Sequence, residues 1–234
     1  MKTLGIVGGI APESTIEYYR LLIASYRERK PDGSAPSIVI DSIDLKKLLD
    51  LTGAGDLEGL TSYLLGEVRL LARAGADLGL LAANTPHIVF HEVLRQSPIP
   101  LVSIVEATCA AAKALGLKKL ALFGTRFTMQ GRFYPDVFSR EGIALVVPAE
   151  DDLAFIHDTY VGELVKGVYR PEARAKLLAI VGRMREGEGV EGVILGGTEL
   201  PFILKGGTAK GIPLLDTTRI HVEAALDELL GKSV

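Results

Sequence analysis

The chain has 234 residues, 48% of them hydrophobic and 24% charged, an ordinary soluble composition with enough length for one large core or two small ones. A net charge of −3, a pI of about 5.9 and the absence of any Lys/Arg cluster argue against nucleic acid or an anionic membrane as a partner. A single cysteine, Cys109, excludes a disulfide framework or a cysteine-based metal site within one chain, and the four histidines (His87, His91, His157, His221) are scattered, so no metal site is expected. The first residues, MKTLGIVGGI, hold one lysine and a short apolar run before the polar APEST, which is not the pattern of a signal peptide. No apolar stretch reaches the ~18 residues of a membrane helix. The expected location is cytoplasmic.

In chain order, short apolar runs predict strands at Thr3–Val7, Ser37–Ile40, Leu78–Ala82, Leu101–Ser103, Lys119–Phe123, Ala144–Val147, Gly192–Leu195 and Leu214–Leu215. Several are apolar on both faces, as buried parallel strands must be. Between them the spacing predicts helices. Glu13–Arg29 carries Ile16, Tyr19, Leu22, Ile23 and Tyr26 at near-helical intervals. A longer helix covers 57–76, with Gly75 as its C-terminal stop. Ile104–Leu115, Asp152–Lys166, Pro171–Arg185 and Thr218–Leu230 complete the set, Pro171 suiting a first helical position. This alternation predicts an α/β fold with parallel sheets flanked by helices.

The chain also echoes itself. ALFGTRFT resembles LGIVGGIAPEST, and VILGGTELPF resembles LGLLAANTPHIVF. The expected organisation is two α/β domains, one from residues 1–100 with 211–234 returning to complete it, the other from 101–210.

Ligands of parallel sheets bind beyond the carboxyl ends of the strands. Four loops at such ends are rich in Gly, Thr, Asn and Ser: GGIAPEST (8–15), AANTPH (82–87), GTRFTMQG (124–131) and GGTELP (196–201). Each is expected to precede a helix, whose unpaired N–H groups suit a carboxylate or phosphate. A mononucleotide site is a rival reading, with Asp41 as its acid, although GIVGGIAPEST fits neither GxGxxG nor GxxxxGK[ST]. Turn chemistry alone accounts for Gly and Thr in any one such loop. Four loops in two related pairs are harder to explain that way.

These motifs resemble those of the aspartate/glutamate racemase family, and its aspartate racemase branch best, over nearly the whole chain. KTLGIVGGIAPESTIEYYR is similar to the family's N-terminal signature, ANTPH to its first catalytic loop, GTRFTMQGRFY to its second-domain loop and ILGGTELP to its second catalytic loop. The resemblance implies two pseudo-symmetric domains, an active site in the cleft between them, a homodimer, and racemisation of an acidic amino acid such as aspartate or glutamate without a cofactor. It implies substrate-binding roles for Gly9, Ser14, Thr15, Asn84, Thr85, Thr125, Thr128, Lys166 and Thr198, with His87 behind them. In the family two cysteines work on opposite faces of the substrate Cα. Their positions here are Ala83 and Gly197, neither able to move a proton. Glu199, two residues on, is the best replacement acid or base. Cys109 reads as a small buried core residue, and Lys46 and Lys47 as solvated surface lysines. A non-catalytic small-carboxylate-binding protein is the alternative.

Overall fold

The structure, a computed structural model, describes residues 2–231; Met1 and residues 232–234, the end of the expected C-terminal segment, lie outside the described residues. The chain forms two compact units, one from the residues up to Ile104 together with those from His221 onward, the other from Val105–Ile220.

The first unit contains β1 (Thr3–Gly8), α1 (Pro12–Arg29), β2 (Ser37–Ser42), α2 (Leu45–Gly53), α3 (Leu57–Arg73), β3 (Leu78–Leu81), a 3-10 turn (Thr85–Val89), α4 (Phe90–Gln96) and β4 (Leu101–Val102). All four strands are parallel, in the order β2-β1-β3-β4. The pleat sends Leu4, Ile6 and Leu80 to one face, against Tyr18, Leu22 and Tyr26 of α1 and Val222 and Leu226 near the C-terminus. Val7 and Leu81 go to the other, against Leu60, Leu64 and Val68 of α3 and Phe90. Asp56 caps α3, its side chain accepting the Gly59 N–H at 2.8 Å, and Gly75 follows the helix with a φ of +93°.

The second unit runs through α5 (Ile104–Ala114), β5 (Lys119–Gly124), α6 (Arg126–Gln130), α7 (Phe133–Arg140), β6 (Ala144–Val146), α8 (Glu150–Gly162), a 3-10 turn (Leu164–Lys166), α9 (Pro171–Glu188), β7 (Gly192–Gly196), α10 (Leu200–Ile203), β8 (Thr208–Ala209), β9 (Ile212–Asp216) and the start of α11 (Thr217–Leu230). Strands β6-β5-β7-β9 are parallel and β8 adds an antiparallel edge. The parallel order repeats that of the first unit, in keeping with the echoed motifs.

The boundary of the units differs from the sequence expectation. Residues 211–234 do not return as one piece: β9 pairs with β7 in the second sheet, and only the part of α11 from His221 belongs to the first unit. A strand reading IPLLD is apolar on both faces, so its composition does not choose between two buried parallel sheets. The expected helix Asp152–Lys166 is also broken, ending at Gly162 before the 3-10 turn, where Gly167 takes a φ of +72° that stops any further winding.

Candidate functional site

In each sheet the first and third strands lie side by side and their connections leave in opposite directions. That is the switch point where open α/β sheets bind ligands, beyond the strand carboxyl ends. The four loops singled out in the sequence are the ones that follow β1 and β3 in the first unit and β5 and β7 in the second.

After β1, Gly9 takes a φ of +81°, a conformation that a side chain would strain, and its N–H donates to Thr15 Oγ1 at 2.8 Å. Ser14 donates its hydroxyl to the carbonyls of Ala11 at 2.7 Å and Ile10 at 3.2 Å. Both hydroxyls are buried and tie down the first turn of α1, so these two predicted substrate ligands shape the loop.

After β3, Ala83 and Asn84 are buried and Thr85 is half-buried. His87 fixes this loop. Its Nδ1 donates to the Ala83 carbonyl at 2.9 Å and its Nε2 accepts the Ile104 N–H at 3.1 Å, which assigns the tautomer. The ring stacks on Phe90 at 4.8 Å. Burial foremost, with His221 adding, pushes the imidazole well below its ordinary range. His87 is therefore neutral with both nitrogens engaged. His221 is a second such group: its Nδ1 accepts from the Tyr18 hydroxyl at 2.8 Å, its Nε2 donates to the Val102 carbonyl at 3.0 Å, and burial lowers it to about 4.

These two histidines predict an acid-sensitive first unit. Each binds a proton more weakly folded than unfolded, so stability is fully present above about pH 6.5 and is lost as the pH falls toward the folded value. For His221 the window runs down to about 4, and the loss amounts to about 3 kcal/mol. Urea midpoints measured from pH 7 to 4.5 are expected to fall, and to fall less in His221→Gln; a flat wild-type profile would contradict the neutral assignment.

In the second unit, Thr125 caps α6, its Oγ1 accepting the Thr128 N–H at 3.2 Å. Thr128 is fully buried over the paired glycines Gly124 and Gly196, where an added Cβ would lie 3.0 Å from Thr128 side-chain atoms in each case. Lys166 is exposed in its 3-10 turn. Lys46 pairs with Asp50 at 2.6 Å and Lys47 lies 4.1 Å over the Tyr63 ring, a solvated setting for both. Cys109 is buried on α5, and burial, with Glu141 adding, pushes its thiol up, away from a reactive thiolate.

The loop after β7 holds a buried carboxyl group. Gly197, Thr198 and Glu199 are all buried, Glu199 to 2% exposure. Its Oε2 accepts hydrogen bonds from Thr198 Oγ1 at 2.8 Å and from the hydroxyl of Tyr160, on the last turn of α8. Burial foremost, with the Glu199 charge adding, pushes the Tyr160 phenol well above its ordinary range, so it remains a donor. Sequence reasoning missed Tyr160. Nothing in DTYVGELVKG marks it, because its partner comes from a different strand end.

Comparison with known proteins agrees with this architecture. Residues 7–225 match the Asp/Glu/hydantoin racemase family. An aspartate racemase homologue from Pyrococcus horikoshii OT3 is 34% identical, with a TM-score of 0.86 over 98% of this chain and 100% of that one. A chain from Yersinia pestis proposed to be an Asp/Glu racemase is 31% identical, with a TM-score of 0.90 over 98% of this chain and 100% of that one. Aspartate racemase from Picrophilus torridus, at 22% identity and a TM-score of 0.77 over 98% of this chain and 94% of that one, shares the fold. The chain belongs to the Asp/Glu/hydantoin racemase family, a family of amino-acid racemases and so of isomerases.

Proposed function

We propose that the protein is a cofactor-independent, racemase-type enzyme acting on a small acidic amino acid, and that its proton chemistry runs through Glu199. The observation that carries this reading is the buried Glu199 carboxylate at the switch point of the second sheet, held by two hydroxyls. In the proposed step the Cα–H proton passes to Glu199. The bonding electron pair stays on the substrate and delocalises into its α-carboxylate as an enediolate. Hydrogen-bond donors around the substrate's α-carboxylate would stabilise that charge, and return of the proton to Cα regenerates Glu199. The loop after β3 offers no matching proton carrier: Ala83 has none, and His87 is neutral with both nitrogens engaged. Proton removal is therefore expected from one face, with inversion slower than exchange. Homodimer assembly and a cytoplasmic location belong to the same reading.

The loss of any thiol at Ala83 and Gly197, with the one cysteine buried elsewhere, favours a second reading, a non-catalytic protein that binds small carboxylates. Calorimetric titration with D- and L-aspartate and glutamate separates the cases when joined to proton NMR in D2O. Saturable binding with loss of the Cα–H signal is the expected result. Binding without loss supports the second reading, and no binding of any of the four overturns both.

A further inference from the structure

The residue at position 197 has no side chain, yet the backbone does not demand glycine there: its φ lies outside the left-handed region that Gly9 and Gly167 occupy. What demands glycine is the ring of Tyr160. A Cβ built on Gly197 would lie 2.9 Å from Tyr160 Cζ and 3.0 Å from its hydroxyl, and closer still to Cε2. The phenol fills the volume that any side chain at 197 would need, and from there it reaches Glu199 Oε2. A buried carboxylate without donors is costly, and hydroxyls aimed at its oxygen offset that cost and fix its direction. Thr198 and Tyr160 both donate to the same oxygen. His157, one turn earlier on α8, is engaged elsewhere, its Nδ1 accepting the Arg126 backbone N–H at 3.2 Å.

We propose that Tyr160 is a positioning residue that occupies the space beside Gly197 and, through its hydroxyl, holds the Glu199 carboxylate charged and oriented. The catalytic meaning of this pair rests on the reading of Glu199 as the proton acceptor; the pair itself does not. It makes the glycine at 197 a partner of Tyr160, so that a ring stands where a side chain at 197 would otherwise project. A tyrosine serving only as core filling would pack equally well as phenylalanine.

The test is a pH titration of Glu199 followed by NMR of protein carrying carbon-13 at its glutamate side-chain carboxyls, the signal being assigned by its loss in Glu199→Gln. In Tyr160→Phe the ring remains and the donor goes. The Glu199 midpoint is expected to rise by about one pH unit, and the acid limb of the Cα-exchange rate to rise with it. Gly197→Ala is the second variant: its Cβ pushes the intact phenol aside and is expected to raise the midpoint in the same direction. An unchanged midpoint in Tyr160→Phe overturns the proposal whatever the activity. A raised midpoint in a protein that exchanges no Cα hydrogen upholds the hold of Tyr160 on Glu199 and overturns the catalytic reading.

Discussion

Replacing Glu199 by glutamine is expected to slow Cα-proton exchange by about 10²- to 10⁴-fold, the range that a positioned acid or base supplies. The substitution is nearly isosteric, and the hydroxyls of Thr198 and Tyr160 can rotate to accept from an amide as readily as they donate to a carboxylate. The fold should therefore persist while the group that takes the proton is gone. Substrate affinity is expected to change much less than turnover, since the proposed carboxylate donors are left in place. Turnover in Glu199→Gln equal to that of the wild type would remove Glu199 from the mechanism.

The second large effect is on stability. Introducing a thiol by Gly197→Cys is expected to destabilise the second unit by about 1–3 kcal/mol, the usual cost of overpacking a filled core. The new Cβ would meet a buried aromatic ring, and Tyr160 sits in the main core of that unit among Ile156, Leu164, Leu195 and Leu200. Tyr160→Ala alone opens a cavity, but in combination with Gly197→Cys the clash disappears. The two changes should therefore be non-additive by at least about 0.5 kcal/mol. Urea denaturation of the wild type, both single variants and the double variant closes this cycle. A Gly197→Cys protein as stable as the wild type would mean that the ring moves freely and does not hold the glycine in place.

Much of this architecture is legible before any coordinates. Apolar runs such as LGLL and GVILG, bounded by turn residues, read as buried parallel strands, and the glycine- and threonine-rich segments after them mark strand ends. Pairing is less legible. IPLLD could complete either sheet, and the choice of β7 depends on packing that no local pattern records. The short helices α2, α4 and α7 lie outside the predicted set because segments of seven to nine residues are read as connections, and β8 lies among glycines where no alternation exists.

The site shows the same division. Ala83, Gly197 and Glu199 stand out because their loops resemble known motifs. The roles of Ser14 and Thr15 do not, since a hydroxyl that ties a turn and one that faces a ligand look alike in a sequence. Tyr160 is the plainest case. Its meaning comes from the space left by a glycine on another element, and that space exists only in the folded unit.

One-sided proton chemistry through Glu199 can be followed by incubating the protein in D2O with each enantiomer of aspartate and glutamate. Loss of the Cα–H signal is then followed by NMR alongside optical rotation. Exchange is expected for at least one enantiomer, running faster than the loss of rotation. Loss of rotation as fast as exchange from both enantiomers would reveal a second proton carrier that the loop after β3 does not offer, and no exchange from any of the four would leave only a carboxylate-binding protein.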